Sequence, residues 1–301
     1  MKVKDREALN RGMAGVLLIT MAYPIALEGI LLLVDAALGL RVPGASLQNG
    51  LGISPAVQEG LRLLCTALPL ALAIFLGSRL SGQKIPPHKA DISMRVLLPA
   101  ALPLFLATTF MASILFGSIF PDTAPAALPE RGAALWVALF SAAVVPGVGE
   151  ELLFRGVLQS RLRVFGSGVA VLGQALLFAI LHRGPAQMLV ALLSGLLLGL
   201  AMELTGKIAL GMLLHTANNA IYFAELYASL YMDERLLTVC LLLVNGAAVL
   251  AAAAAFVRLG RADWVKHLNR VELRSTAALL LRSPLCLLCV GSLFLIRLVM
   301  G

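Results

Sequence analysis

Charge is what this 301-residue chain has least of: Asp, Glu, Lys and Arg make up 13% of it, against roughly 25% in a typical soluble domain. Hydrophobic residues take up 60%, above the roughly 45–50% of soluble proteins. A soluble globular class is excluded. Aromatic residues are sparse, at 6%, and do not interleave with the basic ones, so the net charge of +8 does not imply nucleic acid as a partner. Cysteine is also scarce. Cys65 and Cys240 stand alone in apolar runs, and Cys286 and Cys289 form a C-x-x-C pair among leucines with no second pair to complete a metal set. All four read as small packing residues. There is no internal repeat, low-complexity tail or H-E-x-x-H sequence. What remains is an all-α, polytopic helical membrane protein, a single integral membrane domain over residues 1–301.

Apolar stretches near the ~20 residues needed to cross a bilayer occur at 13–33, 61–76, 96–120, from 133 into a pair of glutamates, 169–182, 187–204, 208–232, 236–257 and 284–300. Eight or nine spans are expected. The charged start, residues 1–12, precedes an apolar run too long for a cleavable signal core, so a retained first span is expected. Sixteen of the 24 Lys and Arg residues fall in segments 1–12, 78–95, 158–168, 205–207 and 258–276, while the alternate loops hold five. This asymmetry predicts a cytoplasmic N-terminus in a cell inner membrane. Segment 258–276, with Arg258, Arg261, Trp264, Lys266, His267 and Arg270, suits an amphipathic helix on an anionic leaflet.

Against this background, Glu150, Glu151 and Arg155 lie within six positions of one another in an apolar run. An ionisable side chain at membrane depth costs ~2.5–3.5 kcal/mol on insertion scales, so the cluster must face a polar interior. Glu151 and Arg155 are spaced i, i+4 and can pair, whereas Glu150 lies about 100° round the helix and points elsewhere. The preceding Pro146-Gly147-Val148-Gly149 is expected to loosen the helix. Gly166 then divides two arms of equal length, so a hairpin would bring Glu150 and His182 to similar depth. His215 and Asn219 are again i, i+4, although His215 comes only about seven residues, roughly 10 Å, into its span. That shallow placement has to be absorbed by tilt or by helix beyond the bilayer. Glu203 and Glu225 are expected to serve interfaces or interhelical bonds.

Three motifs follow in order: Glu150-Glu151-x-x-x-Arg155, Phe178-x-x-x-His182 and His215-x-x-x-Asn219. Together they resemble the CPBP family, the ABI-type intramembrane proteases that include CAAX prenyl proteases and bacteriocin-processing enzymes. Gly156, after the arginine, fits the same pattern. The resemblance covers roughly residues 130–225.

Peptide hydrolysis needs an activated water, a stabilised oxyanion and a proton for the leaving amine. The reading expected from the residues, and implied again by the resemblance, makes Glu150 the general base and has His182 hold the same water. His215 and Asn219 donate to the oxyanion, each such donor contributing ~2.7–4 kcal/mol. Glu151, Arg155 and Phe178 support the site. No cofactor is expected. The alternative is a zinc enzyme with Glu150, His182 and His215 as ligands. Intramembrane Glu and His also mark proton relays in transporters, and a non-catalytic immunity or assembly scaffold is a third class. The expected partners are the lipid bilayer and a membrane-embedded or lipid-modified peptide substrate.

Overall fold

The computed structural model describes residues 29, 30, 33, 54–80, 92–120, 132–182 and 184–258. The expected spans 13–33 and 284–300 and the basic segment 258–276 lie almost wholly outside the described residues, as does the N-terminus. Among the described residues there are seven helices and no strand: α1 Pro55–Leu80, α2 Met94–Ile119, α3 Ala133–Phe165, α4 Ser167–Ile180, α5 Pro185–Thr205, α6 Ile208–Ser229 and α7 Glu234–Arg258. Helices are the expected answer for apolar sequence in lipid, because every backbone N–H and C=O must find a partner within the segment. Even Pro69 in α1 and Pro99 and Pro103 in α2 are carried inside helices. Among the described residues, five helices are long and apolar enough to cross a membrane: Pro55–Arg79, Met94–Ile119, Ala133–Phe165, Pro185–Thr205 and Glu234–Ala255. The helix within the expected span 169–182 is shorter, 14 residues, and α6, interrupted by His215, Asn218 and Asn219, is not among the five.

Close approaches give the relative directions. A Cβ on Gly149 would meet Leu70 and one on Gly77 would meet Val157, so α1 runs parallel to α3. Arg155 reaches the carbonyl of Gly195 and Gln159 that of Gly199, so α5 also runs parallel to α3. Gly195 lies against Ala175 and Gly199 against Val171, which makes α4 antiparallel to α5. Gly156 faces Ile208, Gly211 faces Glu151 and Gly147 faces Thr216, so α6 descends against α3.

Helix α3 is where local structure departs from expectation. Pro146 and Gly147 do not loosen it; Val145–Glu151 is regular α-helix. The irregularity lies on either side, where the helix widens into π geometry over Phe140–Val144 and Leu152–Gln159. Such widened turns recur at functional sites. The glycines serve close packing instead. The break comes at Gly166, whose φ of 113° ends the long helix and starts α4 at the next residue.

The shallow position of His215 also finds its explanation. Helix α6 begins at Ile208 beside Gly156, whereas α3 runs on to Phe165. The first turn of α6 therefore starts partway along α3, and His215 comes level with the glutamates.

Candidate active site

The Glu151–Arg155 pair forms as the spacing predicts. Arg155 Nη1 donates to Glu151 Oε1 at 2.7 Å, with side-chain exposures of only 1% and 0%. Breaking a pair so completely desolvated leaves a bare charge, which is why such pairs are kept whole. The guanidinium is held on two further sides. Nη2 donates to the Gly195 carbonyl at 3.3 Å, and Cζ lies 4.8 Å from the centre of the Phe178 ring.

His215, from α6, completes this group in a way the sequence did not suggest. Its Nδ1 lies 3.1 Å from Glu151 Oε1 and its Nε2 lies 3.9 Å from Glu150 Oε2. A carboxylate accepts, so Nδ1 carries the proton and Nε2 is turned toward Glu150. Glu151 Oε1 thus accepts from both Arg155 and His215. Its other oxygen, Oε2, has no hydrogen-bond partner among the described residues and is pressed against Gly211, where a Cβ would stand 2.5 Å away.

His182 sits in the turn just after α4, which ends at Ile180. Its Nδ1 donates to the Phe178 carbonyl at 2.8 Å. Both site histidines are therefore tied through Nδ1, the arrangement that orients an imidazole and selects its tautomer. The Phe178 ring joins them: its centre is 4.7 Å from the His182 ring and 5.7 Å from the His215 ring, edge-on in each case. Phe154 packs on it at 5.0 Å. Glu150, His215, Phe178 and His182 form one continuous group, and Glu150, at 21% side-chain exposure, is its more accessible carboxylate. Asn219, one turn beyond His215 on α6, is half-buried, and its side chain makes no hydrogen bond among the described residues. Its neighbour Asn218 is the anchored one, bonded to Thr109 Oγ1 of α2 at 2.6 Å.

Sequence reasoning also missed the buried glutamines. Gln159 donates to the Gly199 carbonyl at 2.9 Å and to Glu203 Oε1 at 3.0 Å, and Arg163 Nε stands 3.2 Å from the same oxygen. Glu203 is thus an interhelical residue, as expected. Gln174 donates to the Gly195 carbonyl at 2.7 Å. Among the described residues, no three His, Cys, Asp or Glu side chains are grouped so as to hold one metal ion.

The helices carrying Glu150 and His215 meet at Gly147. A Cβ there would fall 2.8 Å from both Cα and N of Thr216, and a backbone cannot swing aside as a side chain can. Gly147→Ala should lower stability by ~1–3 kcal/mol, the usual cost of overpacking. By pushing the two helices apart it should also cut turnover on the order of 100-fold. Unfolding in detergent and initial cleavage rates measure the two effects. A variant unchanged in both would show that the helices do not depend on this contact.

Residues 132–221 match the family model described as Type II CAAX prenyl endopeptidase Rce1-like. The site-bearing segment is similar to that family. The match covers under a third of the chain and takes in every residue of the three motifs. It agrees with the CPBP resemblance, indicates a protease and supports a CAAX-type intramembrane endopeptidase. Helices α1, α2 and α7 lie outside the matched segment. No curated protein and no solved structure matches the chain.

Proposed function

We propose that the protein is an intramembrane endopeptidase that uses a glutamate-activated water to cut a membrane-embedded or lipid-modified peptide. The observation that carries this is the continuous group formed by Glu150, His215, Phe178 and His182 within the Rce1-like segment. In this mechanism Glu150 takes a proton from water held with His182. The hydroxide attacks the scissile carbonyl, and Glu150 then returns the proton to the leaving amine, so the acid–base cycle closes on one side chain. The developing oxyanion is met by Asn219 and by His215 Nε2. To donate there, Nε2 must also carry a proton, and the Glu151 carboxylate at Nδ1 is the counter-charge for that cation. The division resembles the buried carboxylate behind a catalytic histidine in serine hydrolases.

A lipid-modified substrate fits a second feature. An apolar cavity of about 1030 Å³ lies between α2, α5 and α7, and Leu214, next to His215, forms part of its wall. Its lining suits a hydrocarbon chain. The reading places the enzyme in a bacterial inner membrane with a cytoplasmic N-terminus, in keeping with the distribution of basic residues.

Reconstitution into liposomes tests the proposal. Wild-type enzyme should release product from a lipidated peptide faster than from its unmodified counterpart. No cleavage of either, together with solute movement down a proton gradient, would replace the peptidase with a transporter. Loss of cleavage on chelation and its return with zinc would turn Glu150, His182 and His215 into ligands. Asn219→Ala should lower kcat by ~10²–10³ and leave KM nearly unchanged, as expected when a donor acts only in the transition state. A change confined to KM would remove Asn219 from the oxyanion site.

A further inference from the structure

Three rows of residues, each with i, i+4 spacing, lie side by side behind the proposed active site. On α3 they are Glu151, Arg155 and Gln159; on α4 and the turn after it, Gln174, Phe178 and His182; on α5, Gly195, Gly199 and Glu203. Each row has one end in the site or against it and the other in a fully buried amide or carboxylate. Gln159 and Gln174 are both 0% exposed.

The two glycines of α5 are where the rows meet. The Gly195 carbonyl accepts from Gln174 Nε2 at 2.7 Å and from Arg155 Nη2 at 3.3 Å. The Gly199 carbonyl accepts from Gln159 Nε2 at 2.9 Å. The absence of a Cβ makes this possible. At Gly195 it would stand 3.1 Å from Ala175 Cα, and at Gly199 it would run into the Gln174 amide and lie 3.4 Å from Gln159 Oε1. A small-x-x-x-small stretch commonly lets membrane helices approach. Here the same stretch also exposes backbone acceptors to side chains from two neighbouring helices.

Gln174 has a defined mechanical position in this arrangement. Its short bond to Gly195 fixes the rotation of α4 about its own axis one turn before Phe178 and two turns before His182. The Phe178 ring then lies under the Arg155 guanidinium and against both histidine rings. The same carbonyl that holds Gln174 holds Arg155, which holds Glu151, which holds His215. We propose that Gln174 is a positioning residue of the active site, aligning His182 through α4 and His215 through Gly195, Arg155 and Glu151, with Gln159 holding the adjacent turn in register. Neither glutamine touches substrate or the reacting atoms.

This inference rests on the peptidase reading for its kinetic consequence but not for its structural one, so two readouts are needed. Gln174→Met keeps the length of the side chain and replaces the amide, including an Oε1 that is buried without a partner, by a thioether. Stability should change little, because the unpartnered Oε1 leaves with the amide and the Gly195 carbonyl still accepts from Arg155, so no buried acceptor is orphaned. In enzyme labelled with ¹⁵N-histidine and assigned with a His215→Gln control, the His215 and His182 ring signals should both shift in Gln174→Met. On a lipidated reporter peptide, kcat should fall about tenfold with KM nearly constant. Gln159→Met should move His215 but leave His182 largely in place, since Gln159 lies on α3 alone. Ring signals unmoved in a folded Gln174→Met protein would overturn the proposal. So would a lowered melting temperature with full turnover per folded molecule, which is the outcome of a purely structural contact. If Gln174→Met does not fold, the Gln159→Met spectra decide alone, and an unmoved His215 sinks the shared register. Wild-type enzyme that cleaves no peptide, but whose histidine signals respond as stated, would refute the peptidase and leave the positioning network standing.

Discussion

Glu150→Gln should lose cleavage by ~10²–10⁴, the range contributed by a positioned general base, while the protein melts where the wild type does. The asymmetry follows from what Glu150 touches. Among the described residues its side-chain contact is His215 Nε2, 3.9 Å away and too far for a hydrogen bond. The carboxylate therefore loses no bond of this kind when it becomes an amide of the same shape. Only its ability to take a proton goes. Initial rates on a reconstituted reporter peptide, with thermal unfolding of the same preparations, give both halves of the result. Rates preserved within a factor of a few in Glu150→Gln would refute glutamate-activated water, whatever the other residues do.

The largest loss of stability should come from Arg155→Ala. The arginine supplies the short contact to Glu151 Oε1, is 1% exposed, and is sandwiched between the Gly195 carbonyl and the Phe178 ring. Its removal leaves Glu151 fully buried with one hydrogen bond from His215 and an Oε2 that has none. Stranding a buried charge in this way costs ~3–5 kcal/mol, and a cavity opens beneath Phe178. Folded yield and the unfolding midpoint in detergent should both drop sharply. Arg155→Lys keeps the charge but not the fork that serves Glu151 and Gly195 together, so it should fall between the two. Full stability combined with complete loss of turnover in Arg155→Ala would move Arg155 from support into the chemistry.

What could be read from the sequence is what depends on short-range spacing. The i, i+4 interval joins Glu151 to Arg155, and the two equal arms about Gly166 bring His182 into the same group as Glu150, because helical geometry leaves few alternatives. The cost of charge in lipid made Glu150 stand out. Contacts between distant segments were not legible. His215 reaches Glu151 only because the start of α6 at Ile208, which the apolar run does mark, falls beside Gly156, and nothing in the sequence shows where along α3 that start lies. Gln159 and Gln174 were passed over because a neutral amide in an apolar run carries no charge penalty to attract notice. Its significance lies in which carbonyl it meets. The role expected for Pro146-Gly147 failed for a related reason: a glycine inside a helix can permit bending or permit contact, and here the backbone of Thr216 decides for contact.

The widened turns of α3 make helical phase itself a part of the site. In a regular α-helix, residues four apart drift by about 40° at each step, so a row of three such residues would fan out around the axis. Across Leu152–Gln159 the broader turn checks that drift, so Arg155 and Gln159 both reach carbonyls of α5 while Arg155 still meets Glu151. Their alignment is therefore a property of how the chain is wound between them as much as of which residues are present. A substitution that returned this stretch to ordinary α-helical winding would keep every motif residue intact and still rotate the carboxylate pair relative to its anchors. Two sequences identical at every motif position could differ in activity for that reason alone, and a comparison of motif residues would find nothing to separate them.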